Sequence, residues 1–463
     1  MLTLSNIKSN ILNKQTYWLL AAFFAVRLLS WLARDWLIAQ SLIVIVLIII
    51  LILLFKKNWH YSFQLLLAEY ALGGVGHFFE LNNLSLRSVL TIVFLVFYFS
   101  ASINNKKLLQ FPIRPIRALG IFAALLIIAA GIGFYRGNPV SLILQDLIPF
   151  VFLLLIFPAY QFLQISKNKI FLLRLIFVWL LASALWSLFN FVLFTGGWTI
   201  IHQPYYNWLR DFAMAKITEA NPYFFRIVFP EHLLLVPVIL LISTAWLKYK
   251  QNFYLYLLIL SSAIMALNIS RAYFLGLIIG LLLLKYQNNW LDWLKILCLN
   301  FLIILALFTA FNIISSSNTD TGWAILGLKF GGITAPQTEI SSQNRMELLK
   351  PIAVMIKDAP LLGQGLGQSI ITEKINTRHF DWGYFEMWIK WGLLGLLWSL
   401  TMLGLLSKKI WTKIKNQNIY LGILSGAVAL AVINITTPAL FHVFGILYFT
   451  LLLSWLYCPA PTK

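Results

Sequence analysis

Residues 37–55 read LIAQSLIVIVLIIILILLF, a stretch without a charged side chain that is followed by Lys56 and Lys57. An α-helix rises about 1.5 Å per residue, so a helix of this length spans roughly the hydrocarbon core of a bilayer. Because lipid offers the backbone no hydrogen-bond partners, a segment that crosses it must be a helix or part of a closed barrel. The short alternating segments typical of a barrel are absent from the sequence, and the stretch therefore predicts a transmembrane helix.

Comparable apolar stretches recur along the whole chain. Its 463 residues are 60% hydrophobic and 11% charged, and the mean hydropathy is +0.84. A soluble protein rarely has so few charges, so lipid should be the main solvent. We therefore predict an all-α, polytopic integral membrane helix bundle of about 12–14 transmembrane helices with two long outer loops. The expected spans lie near 17–34, 37–55, 59–79, 87–103, 117–135, 143–165, 170–195, 232–249, 253–270, 272–285, 294–312, 383–407, 419–436 and 438–457.

The basic residues indicate how the bundle is oriented. More than half of the 35 Lys and Arg residues lie near the termini or in alternate short turns, such as the turn with Lys56 and Lys57 and the turn with Lys408 and Lys409. By the positive-inside rule, we expect these turns and both termini in the cytoplasm, and a multi-pass protein of the cytoplasmic (inner) membrane. The net charge of +20 then reflects topology. No basic stripe lies on a soluble domain, so nucleic acid is excluded as a partner.

This topology divides the chain into five parts. N-terminal transmembrane helices occupy residues 1–195, and an outer loop follows at 196–231. Central transmembrane helices occupy 232–312, a large outer loop occupies 313–382, and C-terminal transmembrane helices occupy 383–463.

The outer loops carry cations that the positive-inside rule does not explain, because long loops escape it. Arg210 and Arg226 lie in the first loop, Arg345 lies in the second, and Arg271 follows Asn268-Ile269-Ser270 between two apolar stretches. Arginine stays protonated, and its planar fork binds phosphate through two hydrogen bonds. These four residues are therefore candidate ligands of a diphosphate, although each could instead be an ordinary surface or interface charge. The second loop also carries Lys329, Lys350, Lys357, Lys374 and Arg378.

The second loop contains a helix and a glycine-rich turn. Apolar residues between Glu347 and Lys357 recur at helical spacing, which predicts a short amphipathic helix that ends before Pro360. The turn that follows contains Gly363, Gly365 and Gly367. No strand precedes these glycines, so a nucleotide-binding loop is not indicated. A tight turn whose backbone approaches a substrate or the bundle is the better interpretation.

Two candidates for a general base lie where the second loop returns to the membrane. Either His379 or Asp381 could accept a proton from a sugar hydroxyl, or the two could form a structural contact. The surrounding aromatic residues fit a membrane-interface belt and also a platform for sugar rings. These aromatic residues are Trp382, Tyr384, Trp388 and Trp391.

Other ionisable residues fall inside the expected spans. Glu69 and His77 share one span, and Asp146 and His442 lie in two others. Such residues are functional candidates, here for ion or proton transport, but internal hydrogen bonding explains them equally well. The two cysteines, Cys298 and Cys458, form neither a disulfide framework nor a metal-ligand spacing.

Residues 270–395 resemble the O-antigen ligase and polymerase superfamily. The resemblance rests on Ser270-Arg271 after a span, Arg345 before an amphipathic helix, the turn that begins at Pro360, and Gly392-Leu393-Leu394-Gly395 in the following helix. It implies that Arg226, Arg271 and Arg345 hold a lipid diphosphate. It also implies metal-independent, inverting glycosyl transfer from an undecaprenyl diphosphate carrier, without a cofactor. The position of the family's His, counted back from Gly392, is Asp381, and His379 lies two residues earlier.

Three functions remain open from the sequence. The first is polymerisation of undecaprenyl-diphosphate-linked glycan repeat units into surface polysaccharide, with the lipid bilayer, a flippase and a chain-length regulator as expected partners. The second is an O-antigen ligase that transfers a finished glycan to a lipid or protein. The third belongs to another class, a non-catalytic solute transporter, although the inverted repeats common in transporters are not evident.

Overall fold

The computed structural model describes residues 13–81, 84–105, 109, 111–221, 224–317, 320–335, 337, 339–371, 376–377, 380–414 and 419–458 of the chain. In chain order its α-helices are α1 (Lys14–Ala33), α2 (Leu37–Lys57), α3 (Trp59–Leu72), α4 (Leu86–Asn104), α5 (Ile113–Tyr135), α6 (Val140–Val151), α7 (Ile156–Leu163), α8 (Ser166–Thr195), α9 (Thr199–Asp211), α10 (Leu235–Tyr249), α11 (Asn252–Asn268), α12 (Arg271–Leu283), α13 (Trp290–Ser315), α14 (Trp323–Thr334), α15 (Ile340–Asp358), α16 (Gly383–Ile414), α17 (Ile419–Ile433) and α18 (Val443–Tyr457).

Short antiparallel strand pairs lie between some of the helices. They are β1 (Glu80–Leu81) with β2 (Leu84–Ser85), β3 (Lys216–Asn221) with β4 (Phe224–Val228), and β5 (Ile370–Ile371) with β6 (Asn376–Thr377).

The helices have the length and composition of membrane spans. Within the described part of the chain, nine helices are long and apolar enough to cross a bilayer, and α11, α17 and α18 are shorter apolar helices. Backbone groups in lipid are satisfied within each helix, which is why apolar stretches of this length fold in this way. The predicted all-α, polytopic membrane bundle is therefore confirmed.

Two of the expected spans end or break earlier than their hydropathy predicts. The span expected at 59–79 stops at Leu72, because Gly73 and Gly74 follow and Gly74 has a positive φ of 56°. The span expected at 143–165 consists of α6, a 3₁₀ turn at Phe152–Leu155 and α7. Pro158 lies in the first turn of α7 and cannot donate a hydrogen bond to the carbonyl oxygen of Leu154, which interrupts the α-helical pattern at the 3₁₀ turn.

The ionisable residues near α3 are paired. Glu69 forms an ion pair with Arg87 at 3.0 Å, and both side chains are almost fully buried. Arg27 and Glu231 form a second buried pair at 3.3 Å. The sequence had indicated that His77 and Glu69 share one span, but His77 lies outside the helix that contains Glu69. It lies in the turn after α3, where its Nδ1 is 2.6 Å from Glu80 Oε1.

Packing brings several elements together at one end of the bundle. Helix α17 packs against α10 and α12, the β3–β4 hairpin packs against α8 and α11, and α15 packs against α16. A hydrogen bond of 2.9 Å from Asn221 Nδ2 to Asp320 Oδ2 connects the hairpin with the segment that follows α13. Arg226 of the hairpin donates to the carbonyl oxygen of Asn268, and Arg271 pairs with Glu339, so the hairpin, the start of α12 and the start of α15 meet in one region, which we call the loop end.

Candidate anion-binding site

A break between α11 and α12 forms the centre of the loop end. Helix α11 ends at Asn268, Ile269 adopts a left-handed conformation with φ of 45°, and α12 begins at Arg271. A β-branched residue in this region costs on the order of 1–3 kcal/mol, so the surrounding structure must compensate for it. Part of that compensation comes from Asn268, which is fully buried and lies 3.1 Å from His232 Nδ1 through its Nδ2. The break fixes the position of Arg271.

Arg271 forms an ion pair that the sequence did not indicate. Its Nη2 lies 2.7 Å from Glu339 Oε2, and its Nη1 donates to the carbonyl oxygen of Lys329 at 3.1 Å. The ammonium group of Lys329 lies 2.7 Å from the other oxygen of Glu339. One carboxylate thus joins two cations from α12 and α14.

Glu339 remains ionised at any physiological pH. Its Oε2 also accepts hydrogen bonds from Ser342 N at 3.1 Å and Ser342 Oγ at 2.8 Å, at the start of α15. Partial burial acts to raise the pKa of Glu339, but hydrogen bonds from Lys329 and Ser342 and the charges of Lys329 and Arg271 outweigh it and lower the pKa to about 2.

Arg226 reaches the same region from the β3–β4 hairpin. In this hairpin Thr218 pairs with Arg226, and Asn221 Oδ1 accepts a hydrogen bond from Phe224 N at the turn. Arg226 Nε donates to the carbonyl oxygen of Asn268. Burial lowers the pKa of Arg226, and the positive charges of Arg345 and Arg271 act in the same direction. The three arginines therefore interact electrostatically, as residues of one cluster do.

Arg345 connects α15 with the segment that returns to the membrane. Its Nε lies 3.3 Å from Asp381 Oδ2, an ion pair without hydrogen-bond geometry, and its carbonyl oxygen accepts from Trp382 Nε1 at 3.0 Å. The Asp381 side chain is 47% exposed, so a solvent molecule or a ligand can reach it. His379, the other candidate base, lies outside the described residues.

Arg210 occupies a different place. It lies at the end of α9 and forms an exposed ion pair with Asp211 at 2.8 Å. Its contacts in the described part of the chain do not connect it with the other three arginines.

The glycine-rich turn packs against the bundle. Gly365 has a φ of 87°, and a Cβ there would lie 2.2 Å from Gly133 N in α5. Gly392 interrupts α16 with a φ of 69°, and its Cβ would lie 2.0 Å from the carbonyl oxygen of Leu361. Of the two partners that the sequence left open for this turn, the substrate and the bundle, the described contacts are with the bundle.

A buried charged triad lies beneath the turn. Lys390 Nζ is 3.0 Å from Asp146 Oδ1 and 2.7 Å from Glu386 Oε1. The carboxylate of Asp146 accepts from Gly367 N at 2.8 Å, and that of Glu386 accepts from Phe380 N at 3.2 Å. The triad therefore fixes both ends of the segment between Gly367 and Phe380, directly before Asp381.

Sequence reasoning missed Glu339, Glu386 and Lys390 as functional candidates. Glu386 and Lys390 carry a readable signal, because opposite charges four residues apart inside an apolar helix form a pair on one face. Glu339 carries none, since its partner Arg271 is 68 residues away.

A metal site is not evident in the described part of the chain. The described residues include no group of three or more His, Cys, Asp or Glu side chains that could hold a metal ion. The chemistry available at the loop end is that of arginine and lysine cations with two carboxylates, Glu339 and Asp381.

The comparison with known proteins finds a family model that matches this region. Residues 256–400, which contain Arg271, Arg345, Asp381 and the glycine-rich turn, match the family model described as O-antigen ligase. No curated protein matches the chain.

Proposed function

We propose that this membrane protein is a glycosyltransferase that uses a lipid-linked glycan, because residues 256–400 match the family model described as O-antigen ligase. Its specific reaction is polymerisation of undecaprenyl-diphosphate-linked oligosaccharide repeat units into surface polysaccharide. The reaction takes place on the outer face of the cytoplasmic membrane, by metal-independent transfer with inversion at the anomeric carbon. A flippase would supply the substrate and a chain-length regulator would act on the product.

The cluster at the loop end carries this proposal. The cluster contains the carboxylates of Glu339 and Asp381 and four cations, which are Arg226, Arg271, Lys329 and Arg345. It therefore has an excess of two positive charges. A diphosphate that bridges a lipid and a sugar carries two negative charges. Its charge therefore balances that of the cluster, whereas a neutral solute would leave the excess uncompensated.

The arginines would stabilise the leaving group. Transfer breaks the bond between the anomeric carbon and a diphosphate oxygen, so negative charge develops on that oxygen in the transition state. Bidentate hydrogen bonds from Arg226, Arg271 and Arg345 would be strongest at that moment, because charge-assisted bonds in a partly buried site exceed those in water.

The second task is activation of the acceptor. A sugar hydroxyl attacks the anomeric carbon from the opposite face and loses its proton to a base. Asp381 is a candidate base because its carboxylate is half exposed and a hydroxyl can reach it, and His379 is the alternative. The proton passes to the base, the new glycosidic bond forms, and the lipid diphosphate leaves.

The experiment is reconstitution of the purified protein in nanodiscs with a synthetic polyprenyl-diphosphate repeat unit. We expect a ladder of polymer together with release of polyprenyl diphosphate in equal amount to the new bonds. Consumption of the lipid-linked substrate without polymer, but with transfer to an added lipid or protein acceptor, would favour the ligase. Absence of any transfer under both conditions would contradict the enzymatic function and favour a transporter.

A further inference from the structure

The carboxylate of Glu339 is surrounded by the donors that usually bind phosphate. These are the fork of Arg271 at 2.7 Å, the ammonium of Lys329 at 2.7 Å, and the hydroxyl and amide of Ser342 at 2.8 and 3.1 Å. The Ser342 amide belongs to the first turn of α15, where the helix dipole also favours an anion.

Space at this position is fitted closely to one anionic group. Gly332 is buried, and a Cβ there would lie 3.0 Å from Arg271 Nη1, 3.0 Å from Glu339 Cβ and 3.3 Å from Ser342 Oγ. A larger residue would intrude between the guanidinium and the carboxylate. The donors, the helix end and the glycine therefore form a built anion site, and the chain's own carboxylate occupies it.

We propose that Glu339 is an internal competitor of the substrate, which the diphosphate displaces from Arg271 and Lys329 when it binds. This inference rests on the proposed function and assigns Glu339 a role in it. The carboxylate holds the two cations in place in the empty enzyme, and an incoming ligand must carry enough negative charge to replace it. A dianionic diphosphate does, whereas a single carboxylate or a neutral glycan does not.

Displacement would also change the start of α15. Glu339 is the N-cap residue of α15, and its carboxylate accepts the backbone N–H of Ser342. When the carboxylate leaves, a phosphate oxygen can accept that same N–H. Substrate binding would thereby be coupled to the position of α15, which carries Arg345.

The test compares ligand affinity in variants of the full-length protein in nanodiscs. The probes are geranyl diphosphate and inorganic pyrophosphate, which share the diphosphate and differ in the lipid. Glu339→Gln keeps the size of the side chain and removes its charge, so it should bind both probes about tenfold more tightly than wild type. Glu339→Asp keeps the charge but is too short to reach both cations, so it should show a smaller gain and remains usable if the glutamine variant does not fold.

Asp358→Asn is the matched control, because it removes a carboxylate from the exposed C-terminal end of the same helix. It should change the affinity less than twofold, as expected for a screened surface charge. Two results together would overturn the competitor role and leave the proposed function intact. The first is that both Glu339 variants bind the probes as well as wild type or more weakly, and the second is that wild type binds them and Arg271→Ala does not. Failure of wild type and every variant to bind either probe would remove the diphosphate site itself. Equal affinity for the two probes would indicate that the site binds the diphosphate without a contribution from the lipid. Tighter binding of geranyl diphosphate would indicate that the lipid contributes to binding.

Discussion

At the scale of single residues, Arg271 differs from an ordinary interfacial arginine because both ends of its fork are engaged. One nitrogen donates to a backbone carbonyl of α14 and the other contacts Glu339. A lysine cannot make both contacts, since its ammonium is a point charge without planar geometry. The pair of substitutions Arg271→Ala and Arg271→Lys therefore separates the fork from the charge.

We expect both Arg271 variants to make about tenfold less polymer than wild type, or less still. Arg271→Lys should make little more polymer than Arg271→Ala. Polymer and lipid-linked substrate should be measured in cells at equal protein level, where the substrate should accumulate. Arg34→Ala is a suitable control, because Arg34 pairs with the adjacent, exposed Asp35. Wild-type polymer in Arg271→Ala would contradict a diphosphate clamp.

The candidate bases give a second residue-scale prediction. Asp381→Asn removes both a potential base and the partner of Arg345, and His379→Ala removes the other potential base. The two variants should differ, with one abolishing polymer and the other only reducing it, because a single group accepts the proton. Chain length and accumulated lipid-linked substrate measure the difference. Full polymerisation by the double variant would exclude both residues from the reaction.

At the scale of elements, α16 contains two glycines with opposite requirements. Gly392 needs a positive φ and a close approach to Leu361, whereas a Cβ at Gly404 would meet no atom within 4 Å. Gly392→Ala should destabilise the protein by about 1–3 kcal/mol through backbone strain, and more if the turn is displaced. Gly404→Ala should be neutral or stabilising by up to about 1 kcal/mol, because alanine favours the helix.

Thermal unfolding in detergent, followed for both α16 variants, checks this prediction. A lower midpoint for Gly392→Ala together with reduced polymer would indicate that the break in α16 positions the turn and the segment before Asp381. Equal midpoints for the two variants would contradict the strained break.

Element boundaries also mark how far the sequence could predict the structure. The break at Ile269 was predictable, because Asn268 and Arg271 are polar residues between two apolar stretches. The early end of α3 was not predicted, because Val75, Phe78 and Phe79 keep the mean hydropathy high and hydropathy does not register a change of backbone conformation. Local composition determines where lipid-facing helices lie, while turns depend on backbone conformation.

At the scale of the whole molecule, the fold was predictable and most of the site was not. Hydropathy adds up along one helix at a time, so the spans follow from composition alone. The site depends on pairs far apart in the chain, such as Arg271 with Glu339 across 68 residues and Lys390 with Asp146 across 244. The arginines in the outer loops indicated that the site binds phosphate. The carboxylate that pairs with Arg271, that of Glu339, could be identified only from the folded structure.

The last prediction concerns the orientation of the whole bundle. Lys169, Lys409 and Lys413 lie beside the end of α18, at Trp455, Tyr457 and the Leu456 carbonyl, respectively. Cations gathered at one end favour the cytoplasmic side, which would place the loop end outside. Reporter fusions at residues 215 and 340 should therefore give an outer signal, and a fusion at 412 a cytoplasmic one. Because the lipid-linked substrate is polymerised outside the cytoplasm in our proposal, a cytoplasmic signal at 340 would contradict the reaction as well as the topology, however well the arginines bind diphosphate.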